Sequence, residues 1–163
     1  MKSILAAVAV AFTVVLAAPV QAQVNSAVDE FNLAVEDART IVHAERKLLV
    51  SQNLGLTAAE AEAFWPVYDR YAAELDTAGD RRIKLITDFA ESYGSLSDET
   101  AKQLVADMLR YQKGVIKIRE NYAKKFQQVL PAVKVARFYQ IENKLDALVN
   151  FVLASEIPLM PPQ

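Results

Sequence analysis

Between Phe64 and Phe89 apolar side chains recur at steps of four and three: Phe64, Tyr68, Tyr71, Leu75, Ala78, Leu85 and Phe89, with Arg82 the one polar member. That spacing gathers them on one face of an α-helix, whereas a strand would scatter them over both faces. The run predicts a helix over residues 58–93, about 54 Å long at 1.5 Å per residue. Thr57 opens it with Glu60 three positions on, a pairing in which each residue satisfies a backbone amide of the other. Pro66 falls inside the run and lacks an amide hydrogen, so a kink, or a short turn followed by a restart at Pro66, is expected.

The same period returns on either side. Val28, Phe31, Val35, Ala38, Val42 and Leu49 mark a first helix over 28–51, interrupted by Glu45. Asn53-Leu54-Gly55-Leu56 stops it, with Gly55 suited to the left-handed position past a helix end. Ser95-Leu96-Ser97 supplies a turn and a cap, and Asp98 and Glu99 sit favourably at the positive end of the dipole. Leu104, Met108, Tyr111, Val115, Ile118, Tyr122 and Val129, with Phe126 beside the seam, carry a third helix over 98–130. Pro131 then suits a first helical position, and Phe138, Ile141, Leu145, Leu148 and Val152 mark a fourth over 131–154. Residues 155–163 contain Pro158, Pro161 and Pro162 and form an irregular tail. The expected fold is all-α: four helices, the two long ones an antiparallel hairpin resembling a coiled coil, because a tight turn leaves no other direction. Such a bundle is thin and leaves one apolar face uncovered, so a possible dimer, elongated in shape, would cover what one copy leaves bare. Glu45 and Arg82 break their seams and are expected to point outward at the seam edges. Burying them as a pair would gain little once desolvation is counted.

The first 22 residues are of another kind. Lys2 precedes an apolar run from Ile4 to Ala18, then Pro19-Val20-Gln21-Ala22 with small side chains where a signal peptidase reads. This predicts a cleaved secretory signal and a single helical domain over 23–163, free in the periplasm. The run is shorter than the roughly 20 apolar residues of a membrane span, so no stable membrane insertion follows cleavage. Without Lys2 the chain keeps 17 basic against 20 acidic side chains, a net charge of −3. That balance gives no overall attraction to nucleic acid.

The parts of an active site are missing from the sequence. Cysteine is absent and His43 is the one histidine, so neither a zinc ligand set nor a nucleophile with its base can be assembled. Thr57 and Ser97 are accounted for as caps, and no glycine-rich phosphate loop is present. The chain is therefore expected to be no enzyme and to need no cofactor or metal.

Charge is instead partitioned along the chain. From Thr57 to Asp80 the acids Glu60, Glu62, Asp69, Glu74, Asp76 and Asp80 face Arg70 alone. From Lys113 to Arg137 the bases Lys113, Lys117, Arg119, Lys124, Lys125, Lys134 and Arg137 face Glu120 alone. One reading is charge complementarity within or between subunits. The other is a basic patch that steers acidic partners, with Lys113, Lys117, Arg119, Lys124, Lys125 and Arg137 as candidate protein-binding residues.

Leu56-Thr57-Ala58-Ala59-Glu60, the long basic hairpin and the second leucine-led start at Leu130-Pro131-Ala132-Val133-Lys134 together resemble the LTxxQ-motif periplasmic proteins, the Spy and CpxP-like family. Glu60 and Lys134 stand where the family motif has glutamine. The resemblance implies a thin, curved helical homodimer that holds unfolded or partly folded proteins without ATP. It equally implies an envelope-stress regulator that binds one folded partner such as a sensor kinase. Some relatives bind zinc, but the ligands for it are missing from this chain.

Overall fold

The computed structural model describes residues 44–160. The expected leader, most of the expected first helix and His43 lie outside them. The described residues divide between two compact units, one ending at Gln52 and the other spanning Asn53–Gln163. They are helical in four stretches and contain no strand, so the fold is all-α: α1, whose described part covers 44–54; α2, Ala58–Ser92; α3, Asp98–Gln127; and α4, Ala132–Glu156.

Each boundary has a local cause. Gly55 has φ +66°, a conformation that costs an L-residue with a Cβ, and it turns the chain out of α1. The Thr57 amide donates to Glu60 Oε2 at 2.7 Å and the Glu60 amide to Thr57 Oγ1 at 3.3 Å, closing the reciprocal cap of α2. Ser97 Oγ accepts from the Thr100 amide at 3.1 Å and opens α3, which ends at Gln127 rather than 130. Pro131 sits one position earlier than expected. It is the extended residue before α4, and its carbonyl accepts from the amides of Lys134 and Val135. Pro66 neither ends nor restarts α2, which runs through it without a break. The acceptor left without an amide is the Glu62 carbonyl, on an exposed residue where water can take the bond.

Side-chain pairs fix the order of α2, α3 and α4. Phe64 meets Phe126, Tyr71 meets Tyr122, and Arg82 lies over the Tyr111 ring, so α2 and α3 run antiparallel. Phe126 meets Phe138 and Arg119 pairs with Asp146, so α4 reverses again. It then follows α2, with Tyr71 bonded to Glu142, Arg82 to Asn150 and Tyr93 to the Leu159 carbonyl. Arg82 therefore reaches across the bundle instead of pointing outward.

The core is aromatic. Phe64, Tyr68, Tyr71, Tyr122, Phe126 and Phe138 are buried, with ring centroids such as Phe126–Phe138 at 4.7 Å. Close aromatic pairs of this kind contribute about 0.5–1.5 kcal/mol each beyond area burial. Phe126 thus belongs to the centre of its stripe, while Met108 and Leu148, placed by their spacing in the stripes of α3 and α4, are exposed. Aromatic rings at one end of the bundle fill the space between three helices, and Met108 and Leu148 lie toward the other end, outside that cluster.

Candidate binding surface

At about 100° of rotation per residue, Lys113, Lys117 and Lys124 fall within about 40° of one another on α3. Tyr122 and Phe126 lie on the opposite side of the same helix, buried against α2 and α4. The packing of the aromatic core therefore turns the three lysines outward. All three are exposed, and none has an ion-pair partner among the described residues. Lys102 and Arg110 share the arc, which contains two acids, Glu99 and Glu120.

Beside this row runs a second one of apolar groups. Val105 is 50% exposed, Leu109 46% and Ile116 55%. Their helical angles place them about 40–80° from Lys113, on the flank nearer α4. A rigid helix thus presents bare hydrocarbon and unneutralised positive charge side by side. The arrangement can attract an anionic chain and bury small amounts of its apolar surface.

The other three expected binding residues do different work. The Arg119 guanidinium is half-buried and paired with the Asp146 carboxylate, and Tyr139 donates to the Arg119 carbonyl at 2.7 Å. Burial opposes the Arg119 charge, but Asp146 outweighs it and holds the group more firmly protonated. Arg137 Nε donates to the Asn53 carbonyl at 2.5 Å and fastens the start of α4 to the chain just before Gly55. Lys125 lies with its ammonium 3.9 Å from the centre of the Tyr122 ring, a cation–π contact.

Lys134 fastens the same corner. Its ammonium donates to the Gly55 carbonyl at 2.9 Å and to Glu60 Oε2 at 2.5 Å. With Lys134 and the Thr57 amide both donating to it, the Glu60 carboxyl is lowered to about 2. The two motif-like starts, Leu56–Glu60 and Leu130–Lys134, therefore grip each other.

The interior holds a polar cluster that the spacing did not reveal. Glu142 is fully buried, and Tyr71 donates to its Oε2 at 2.9 Å. Burial first, and then the Glu142 charge, push the Tyr71 hydroxyl far above the ordinary tyrosine range. Tyr122 donates to Glu74 at 2.7 Å and is raised to about 12, by burial and then by that bond. The Tyr71–Glu142 bond lies inside the core and joins α2 to α4, while the Tyr122–Glu74 bond joins α3 to α2 at its edge, where Glu74 is exposed. A groove of about 300 Å³ opens between α2 and α3 where Ala78 and Gly114 are too small to fill it, with Glu74, Arg81, Tyr111 and Ile118 around them.

A Glu four residues after Phe138 reads in sequence as a solvated charge, so Glu142 carried no signal. The apolar flank did carry one, since Leu109 and Ile116 are one heptad apart and off the seam. In comparisons with known proteins, the chain matches no family model, no curated protein and no solved structure.

Proposed function

We propose that this is a periplasmic, non-enzymatic binding protein that holds unfolded or partly folded proteins without ATP. The observation that carries the reading is the outward face of α3, where exposed Lys113, Lys117 and Lys124 run beside half-exposed Val105, Leu109 and Ile116. Flexible clients expose apolar segments between charges, and such segments can be held by several weak contacts at once. Unpaired lysines would speed encounter with acidic stretches, and the apolar flank would slow departure. Export rests on the Ile4–Ala18 run and the Pro19–Ala22 cleavage pattern. A chain acting in that compartment has no ATP to spend, which suits a holding mechanism built on shape and charge.

The experiment adds the chain from Gln23 onward to a client that aggregates on dilution from denaturant and follows light scattering. Suppression at several-fold excess is expected, weakening when Lys113, Lys117 and Lys124 are replaced by Glu. Unchanged scattering at that excess would refute the reading. The alignment of three lysines along one face of one helix also fits a second reading, recognition of one folded, acidic envelope partner such as a sensor kinase. Capture from an envelope extract separates the two: one stoichiometric partner favours the regulator, a broad set of unfolded chains the holder.

A further inference from the structure

We propose that the outward face of α3 also docks, peripherally and reversibly, on an anionic phospholipid bilayer. Lys102, Arg110, Lys113, Lys117 and Lys124 share one arc of the helix, against Glu99 and Glu120. From Lys102 to Lys124 the row extends about 33 Å along a single helix. A charge array of that length, one residue wide and without a pocket, matches a planar sheet of headgroups. The groove between α2 and α3 lies off this face, on the side of Tyr111 and Ile118.

Side-chain chemistry favours lipid over a folded acidic protein. Four of the five bases are lysines, compact hydrated charges on flexible stems, whereas fixed carboxylates are better matched by the planar fork of arginine. The one arginine, Arg110, is already engaged by Asp107 within its own helix. None of the four lysines has an ion-pair partner among the described residues, so their charge is available to an external anion. A second copy of the chain is disfavoured on this face, because two such rows in contact would oppose like charges along their whole length. Leu109 and Ile116, about half exposed beside the lysines, can enter the boundary between headgroups and acyl chains. No helix among the described residues is long and apolar enough to cross a membrane, so the contact is one of surface adsorption.

The test is vesicle sedimentation with the chain from Gln23 onward, so that the apolar leader contributes nothing. Binding is expected to vesicles of phosphatidylcholine containing a minority of phosphatidylglycerol and not to phosphatidylcholine alone. It should be lost in 1 M salt, where the Debye length is about 3 Å. Each lysine near an anionic surface contributes about fivefold, so Lys113→Gln/Lys117→Gln/Lys124→Gln should weaken partitioning by about two orders of magnitude. Lys84→Gln, on α2 and paired with Asp88, should leave it unchanged. The substituted lysines are exposed, and unchanged helicity by circular dichroism would show that the triple variant folds. No binding to anionic vesicles, equal binding to neutral ones, or full binding by the triple variant would each overturn the proposal. Aggregation assays contain no lipid, so suppression of aggregation without vesicle binding would sink this inference and leave the holding function standing.

Discussion

Replacing Tyr71 with Phe removes one oxygen atom from the centre of the bundle and nothing else. The ring keeps its neighbours, Tyr122 at 5.4 Å, Phe126 at 5.6 Å and Phe138 at 5.7 Å between centroids. What is lost is the 2.9 Å bond to Glu142, a carboxylate with no exposed surface. A hydrogen bond to a charged acceptor contributes about 1.5–3 kcal/mol, and burial keeps water from replacing it. Tyr71→Phe should therefore cost about 2 kcal/mol. At about 3–4 °C per kcal/mol for a chain of this length, Tm should fall by roughly 6–8 °C. Urea unfolding followed by circular dichroism measures the cost directly, with an unchanged slope showing that the transition is the same one. In a double-mutant cycle with Glu142→Leu, the two single losses should exceed the double loss by about 1.5 kcal/mol, because both substitutions remove the same bond. If Tyr71→Phe stays within about 0.5 kcal/mol of the parent, or if the two substitutions simply add, the bond does not join α2 to α4 as described.

Tyr122 and Tyr139 are both raised to about 12, first by burial, so the folded chain keeps protons that the unfolded chain releases near its ordinary 10. Their contribution to stability is complete below pH 10 and should be lost between about 10 and about 12, measurable as phenolate absorbance rising together with unfolding. Glu60 behaves oppositely: its lowered value makes its contribution complete above pH 4.5 and lost as pH falls toward about 2. Glu60→Gln should flatten the acid limb of the stability profile in that window, and an unchanged limb would remove Lys134 and Thr57 as its partners. Thr57→Ala should cost about 1 kcal/mol in urea unfolding through the lost cap. Gly55→Ala should cost about 1–2 kcal/mol, although a Cβ there meets nothing within 4 Å, because the backbone conformation itself is strained for an L side chain. Gly114→Ala, equally open but inside a helix, should instead stabilise by about 0.5–1 kcal/mol.

The binding surface was only partly legible before the fold. Charge counting gathered Lys113, Lys117, Arg119, Lys124, Lys125 and Arg137 into one patch because they are near in sequence. Helical rotation then separates them: three lysines face outward, Arg119 turns toward Asp146 and Arg137 toward the Asn53 carbonyl. Neighbours along a chain are not neighbours on a helix, and a long arginine can bury its charge wherever a carboxylate waits. Leu109 and Ile116 repeat one heptad apart off the seam, but spacing alone does not say which side of the helix a neighbour covers.

Sequence alone settled the all-α class, the positions of the turns and the reciprocal cap at Thr57. All three depend on interactions within a few residues of the chain, on period, capping and the freedom of Gly55. Tertiary structure alone decided that Phe126 sits at the centre, that Glu142 is buried, that Lys134 bridges Gly55 and Glu60, and that α2 passes through Pro66 unbroken. Those outcomes join residues on different helices, as far apart in the chain as Gly55 and Lys134, or depend on which carbonyls water still reaches. They follow from how three helices share one aromatic core, and local spacing holds no record of that packing.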